Sequence, residues 1–235
     1  MPASMPPLTV VFDLDGTLAD TSADLIAAAN ACFARRRLAV RLDPLTDAAI
    51  AFQGGRAMLR AGFARAFPER GEAETAPLVE EDFPFLIAYY GENLDRNTRL
   101  YPGVEAALAR LAEAGHGLAV CTNKPEGLAR ALLARLGILD RFAHLAGADT
   151  YPWRKPDPRP LLRTIAAAGG LAERAVLVGD TATDRQAAAA AGIPCLLVTF
   201  GPLGRDVATL EPEGLLGSFD GIERALARLA LSEHR

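Results

Sequence analysis

The chain has 235 residues, an apolar share of 50% and a formal net charge of −4. That length suits one large core or two unequal domains without covalent staples, and the charge leaves no basic excess for a polyphosphate backbone, so nucleic acid is excluded as a partner. Cys32, Cys121 and Cys195 are far apart and two of them sit in apolar runs, the usage of a reducing cytoplasm rather than of a disulfide framework. The run ahead of Asp13 lacks a basic flank and is interrupted too early for a secretion signal or a membrane span, so no membrane partner is expected.

Leu8 to Phe12 is a short apolar run rich in β-formers and reads as the first strand of a buried parallel sheet. Roughly a hundred residues separate it from the next strand, far more than a strand–helix–strand crossover needs. The interval holds the helical stretches "ADLIAAANACFARRRL", "RAMLRAGFARAF" and "FPFLIAYYGENL" and no strand, which predicts an inserted all-helical domain over residues 20–93. Within it, Arg35 to Arg37 reads as a solvated helix face, and Tyr89 and Tyr90 as packing. "DRNTRLYPGV" is its exit linker, with Pro102 and Gly103 marking the return to the core. Val104, Leu108 and Leu111 then predict a helix stopping at Gly115, and Ile222, Leu226 and Leu229 repeat the spacing near the end. Gly117–Asn123, Arg174–Asp180 and Ile193–Phe200 are further strands, so residues 1–19 and 94–235 form an α/β core, a parallel sheet flanked by helices. "GHG" around His116 is rejected as a dinucleotide fingerprint because it precedes a strand and lacks a third glycine.

Ligands of such sheets bind where the strands end. The first strand ends in Asp13 and Asp15, the second in Thr122 and Asn123, and the third in Asp180 and Asp184, while Lys155 sits in "WRKPDP" just ahead of that third strand. Carboxylates gathered at low dielectric repel one another unless a cation intervenes. Mg²⁺ takes oxygen ligands, here Asp13, Asp180 and the main-chain carbonyl of Asp15, and leaves room for a phosphate oxygen. Lys155 supplies counter-charge, and Thr122 and Asn123 donate to phosphate oxygens. Side chains two apart on a strand face the same way, so Asp13 can attack phosphorus while Asp15 moves protons for the leaving alcohol and the water. Gly16 allows the turn, and Thr17 orients the acids. Asp184 is open between ligating the metal, holding one of its waters and bracing Lys155, with a place behind the ligands favoured. Thr181 and Thr183 are helix N-cap candidates. Cys121 reads as core, not as a nucleophile. In the inserted domain Arg56 is a candidate for meeting a substrate carboxylate bidentately.

These residues resemble the haloacid dehalogenase superfamily: "DLDGT", "VCTN", Lys155 in "KPDP" and "GDTATD" match its four signatures in order. The resemblance implies a modified Rossmann-type core, a helical cap inserted after the first signature, Mg²⁺ as cofactor and an aspartyl-phosphate on Asp13. Dehalogenating members lack the second aspartate, so Asp15 points to a phosphatase or a phosphomutase. "TNKP", "YPGV" and "GGRAMLRAGF" look like the phosphoglycolate phosphatase branch, the last lying where such enzymes place the loop that closes over substrate. "FQGG" departs from the differently spaced glycine pair of many relatives.

The expected protein is thus a cytoplasmic Mg²⁺-dependent phosphatase of a small phosphate ester, 2-phosphoglycolate first, acting as a monomer or homodimer. The alternatives are a β-phosphoglucomutase-like phosphosugar mutase and a pyrophosphate or nucleotide phosphatase. A binding protein that keeps the fold without turnover is disfavoured by the complete acid and lysine set.

Overall fold

The computed structural model describes residues 7–232, so the first residues of the core expected over 1–19 lie outside the described residues. The chain forms two compact units, one built from residues up to Ala19 and from Leu100 onward, the other from Asp20–Arg99. Strand β1 is Thr9–Phe12. The segments joining the units, β2 (Ala19–Asp20) and β3 (Arg99–Leu100), pair as a two-stranded ribbon.

In the first unit β1 is joined by β4 (Gly117–Cys121), β5 (His144–Ala146), β6 (Ala175–Gly179), β7 (Cys195–Val198) and β8 (Gly214–Leu216). Together they make a six-stranded parallel sheet in the order β5-β4-β1-β6-β7-β8. Phe12 is level with Val120 on one side and Val178 on the other, so β1, β4 and β6 run out together and Asp13 follows at their common end. All four residues of β1 are buried, as an apolar run covered on both faces requires.

The side chains alternate across that strand. Val11 joins a cluster with Leu177, Leu197, Leu161 and Ile165. The rings of Phe142 and Phe219 approach Phe12 at 6.3 and 6.4 Å. The inserted unit contains α1 (Ser22–Arg35), α2 (Ala48–Ala51), α3 (Gly55–Ala66) and α4 (Glu72–Glu92). The core carries α5 (Val104–Glu113), α6 (Glu126–Arg135), α7 (Pro158–Ala167), α8 (Ala182–Ala191) and α9 (Ile222–Ser232). Helix α7 starts cleanly because Asp157 accepts the Arg159 N–H at 2.9 Å and Pro158 fills the first helical position. His116 is a core histidine whose Nδ1 accepts the Leu8 N–H at 3.0 Å, and burial lowers its pKa. No helix among the described residues is long and apolar enough to cross a membrane.

The inserted unit extends past residue 93 because its exit segment is needed at its base. Asp24, buried at the start of α1, accepts the N–H groups of Asn97 and Thr98 and the Thr98 hydroxyl. The arginine run is not simply a solvated face: Arg35 and Arg36 close on the fully buried Asp82 at 3.1 and 2.6 Å, the counter-charge a buried carboxylate needs. Tyr90 is buried, as expected of packing, and Tyr89 lies against Phe85.

Helices α1 and α3 meet through Phe33, Phe63 and Gly62. A Cβ on Gly62 would sit 1.9 Å from Phe33 Cζ, so overpacking should outweigh the gain in helix propensity. Gly62→Ala is expected to lose about 1–2 kcal/mol, read as a lower urea midpoint; an unchanged or raised midpoint would refute the packing argument.

Candidate active site

The site begins where β1 stops. The Asp13 N–H still bonds the Val178 carbonyl at 2.9 Å, which holds its buried carboxylate at the sheet edge. The chain then doubles back: Leu18 N–H and Ala19 N–H both reach the Leu14 carbonyl, and Gly16 N–H reaches Ala19. Gly16 has φ +80°, a left-handed conformation open to glycine, and a Cβ there would lie 2.2 Å from Asp180 Oδ2. Next to it the Thr17 hydroxyl donates to Asp180 Oδ1 at 3.0 Å, so Thr17 orients an acid as its position in sequence suggests.

Asp180 follows β6 and Thr181 caps α8. Asp184, in the first turn of that helix, turns back on its own N-terminus. Its Oδ2 accepts the N–H of Thr181 at 3.1 Å and the Thr181 hydroxyl at 2.7 Å, while Oδ1 accepts from Lys155 Nζ at 2.6 Å. Lys155 also lies 3.1 Å from Asp13 Oδ1. Asp184 therefore braces both the Asp180 loop and Lys155.

Thr122 and Asn123 follow β4. Thr122 is buried, and its Oγ1 accepts the Lys124 N–H at 3.2 Å. Asn123 is exposed and gives an amide hydrogen to the Lys155 carbonyl at 2.9 Å, so it ties two strand-end loops together. The residue that sequence reasoning passed over is Lys124. Its Nζ lies 2.8 and 3.0 Å from the two carboxylate oxygens of Asp15, and the side chain is only 3% exposed. Its signal was the surplus of acids over cations at the strand ends, which a single lysine does not meet.

Burial and crowding shape the charges. Asp13 is pushed up to about 6 by burial, with Lys155 opposing and the carboxylates of Asp184 and Asp15 adding to the rise. Asp180 is raised well above the usual carboxylate range by burial and by Asp184 and Asp13. Burial opposes the charge on Lys155, but Asp13 and Asp184 outweigh it and hold the ammonium's pKa up. Asp13, Asp180 and Asp184 each offer one oxygen within 4.8 Å of the others, the geometry of a cation site. Both Asp184 oxygens already serve the partners above. Cys121, next to Thr122, is pushed up to about 11 by burial and stays a thiol, as a core residue should.

The structure brings Asp13, Asp15, Thr17, Thr122, Lys155, Asp180 and Asp184 to one sheet edge of the core unit. Arg56 belongs to the inserted unit, at the start of α3. There it grips Glu80 at 2.7 and 2.8 Å and lies 3.7 Å from the Phe83 ring centre.

A buried carboxylate beside a second acid, with a lysine and a group of acids that could hold a cation, is an arrangement suited to phosphoryl transfer. Comparison with known proteins agrees. The family model of the haloacid dehalogenase-like hydrolases matches residues 10–198. The chain is 41% identical over 218 residues to the phosphoglycolate phosphatase of Mesorhizobium japonicum, covering 93% of this chain and 94% of that one. It is 41% identical over 224 residues to the phosphoglycolate phosphatase of Agrobacterium fabrum, with coverages of 95% and 94%. A crystal structure from Haemophilus somnus, described as a predicted phosphoglycolate phosphatase, has a TM-score of 0.81 at 28% identity and covers 93% of this chain and 97% of its own.

The chain belongs to the haloacid dehalogenase-like hydrolases. Within them it is a phosphatase of the phosphoglycolate phosphatase-like kind, a phosphoric monoester hydrolase.

Gly16 gives this site a direct test. Gly16→Ala must move Asp180 or the turn and adds left-handed strain of about 1 kcal/mol. It is expected to lower phosphatase kcat/KM by at least about 100-fold, as displacing reacting groups by about 1 Å does, with the protein still folded and its unfolding midpoint lowered in keeping with that strain. Activity within a few-fold of wild type would show that the turn is not crowded against Asp180.

Proposed function

We propose that the protein hydrolyses 2-phosphoglycolate with Mg²⁺ as cofactor, through a phosphorylated Asp13. The observation that supports the ion most is a charge imbalance. Asp13, Asp15, Asp180 and Asp184 meet Lys124 and Lys155, and the two negative charges left over are the charge of one divalent cation. The buried Asp180 Oδ2 also has no hydrogen-bond partner among the described residues, and Asp13 Oδ1 has only its ion pair with Lys155. Asp13, Asp180 and the main-chain carbonyl of Asp15 would hold the ion. When bound, Mg²⁺ screens the repulsion between these carboxylates and the phosphate oxygens.

The chain's own residues carry the remaining steps. Asp13 attacks phosphorus, so a carboxylate oxygen–phosphorus bond forms as the bond to the alcohol oxygen breaks. Asp15 gives a proton to the departing alkoxide and then takes one from the water that attacks the acyl-phosphate. Lys155, anchored between Asp13 and Asp184, keeps the nucleophile aligned and supplies positive charge to the phosphate. Thr122 adds a hydroxyl donor to the phosphate oxygens, and Asn123 sets the loop that carries Lys155.

The choice of 2-phosphoglycolate rests on the names of the relatives. The three buried, unpaired cysteines suit a reducing cytoplasm.

The reading is tested by phosphate release from 2-phosphoglycolate, sugar phosphates, nucleotides and pyrophosphate at equal concentration, with Mg²⁺ or a chelator. A chelator-sensitive preference for 2-phosphoglycolate, abolished together with acyl-phosphate trapping in Asp13→Asn, is expected. Another preferred ester would reassign the substrate, sugar phosphate conversion without phosphate release would indicate a mutase, and an active Asp13→Asn would overturn the mechanism.

The cofactor has its own readout. Asp13 titrates at about 6 when folded against 3.8 when unfolded, so between those values the metal-free folded state holds the extra proton and its stability falls as pH rises. Asp180 shifts in the same direction. Mg²⁺ at about 100 times its Kd should therefore stabilise the protein by about 2.7 kcal/mol at pH 7.5, and by clearly less near pH 5, where protons compete. Equal thermal shifts at the two pH values, or none, would count against this site as the metal site.

A further inference from the structure

Lys124 is a second buried lysine at the site, and it does not share the partners of the first. Lys155 sits on Asp13 and Asp184, whereas Lys124 sits on Asp15, touching both oxygens of its carboxylate at 2.8 and 3.0 Å. The Asp15 side chain is 18% exposed and rides on the turn after β1, where a carboxylate with no fixed partner would rotate. The lysine that meets it is pinned at the backbone. Its N–H donates to Thr122 Oγ1 at 3.2 Å and its carbonyl accepts the Ala148 N–H at 2.9 Å.

The loop behind it is braced as well. Glu126 N–H donates to Asp149 at 2.7 Å, and the Thr150 hydroxyl donates to Glu126 at 2.5 Å. Gly147 packs so closely that a Cβ there would lie 2.7 Å from the Lys124 carbonyl oxygen. A rigid loop thus delivers one ammonium to one carboxylate in a buried setting.

We propose that Lys124 is the positioning residue for proton transfer, fixing the plane of the Asp15 carboxyl so that it addresses the leaving alcohol and then the water. The inference rests on the phosphatase reading with Asp15 as the proton carrier. Lys124 neither gives nor takes a proton in either step. The proton that leaves Asp15 goes to the alkoxide, and the proton that returns to it comes from water.

The test separates proton delivery from general damage by varying the leaving group. In Lys124→Met, the pre-steady-state burst of alcohol from an alkyl phosphate, which needs the proton, is expected to slow about 10- to 100-fold. The burst of p-nitrophenolate from p-nitrophenyl phosphate, whose leaving group is stable without a proton, should slow less than about threefold. Lys124→Arg should restore most of the alkyl burst. In an Asp15→Asn background Lys124→Met should add less than about a twofold loss, because the group it positions is gone.

Equal slowing of the two bursts would overturn the proposal. So would an undiminished further loss in the Asp15→Asn background, or a KM effect confined to carboxylate-bearing esters with kcat kept, which would make Lys124 a substrate contact. Unfolding midpoints accompany each variant, and if Lys124→Met does not fold, the Arg variant and the Asp15→Asn double variant carry the comparison. Where wild type shows no burst, single-turnover rates of alcohol and p-nitrophenolate release carry the same comparison, and no phosphate release from either ester would instead remove the phosphatase reading itself.

Discussion

Burying carboxylates together at one sheet edge is the constraint from which the rest of this structure follows. An ion taken from water costs several kcal/mol even after relaxation, and neighbours of the same sign raise that cost. Asp13, Asp180 and Asp184 are all buried and stand within reach of one another. The fold answers with contacts aimed at particular oxygens. Lys155 touches Asp13 and Asp184, Thr17 donates to Asp180, and Thr181, the N-cap of α8, donates to Asp184. Each contact comes from a different segment of the chain, so the sheet edge can form only when β1, β6 and the Lys155 loop arrive together.

The same crowding explains the small residues around the acids. A Cβ on Gly179 would lie 2.5 Å from Asp184 Cβ, and one on Gly201 would lie 2.9 Å from the Gly16 carbonyl oxygen. With Gly16 itself against Asp180, the end of β6 and the turn after β1 crowd two of the acids, and Gly201 closes on that turn. Main chain packed this closely helps to bury the acids, and burial is the largest cause of the rise in Asp13 and Asp180.

Much of this was legible in the sequence because it depends on spacing. β1, β4, β6 and β7 are readable as apolar runs between turn residues, though each is shorter in the structure: β1 loses Leu8 at its start, β4 its last two residues to the turn, and β6 and β7 residues at both ends. β5 and β8 were missed because "HLA" and "GLL" are too short to show a period and become strands only through pairing with β4 and β7. The strand-end acids and Lys155 are legible from their positions, whereas nothing in the spacing of "TNKP" marks Lys124 as the partner of Asp15, which is 109 residues away. Arg35 and Arg36 misled for a related reason. Their partner Asp82 is distant in sequence, and only the packing of α1 on α4 reveals that it is buried.

The contrast between the two units shows where chemistry is to be sought. In the inserted unit the buried acids are satisfied: Asp82 by Arg35 and Arg36, Asp24 by Asn97 and Thr98, and Asp47 by Arg65, whose hydrogen bonds lower it to about 2. In the core the same residue type moves the other way, Asp13 rising to about 6 because burial and like charges outweigh its lysine. Both buried carboxylate oxygens that lack a hydrogen-bond partner among the described residues belong to the core site. A satisfied carboxylate is held in one charge state and one place, which serves a scaffold. One left partly unsatisfied is poised to take a cation, a proton or a phosphorus atom, and a phosphatase needs such groups in one unit and none in the other.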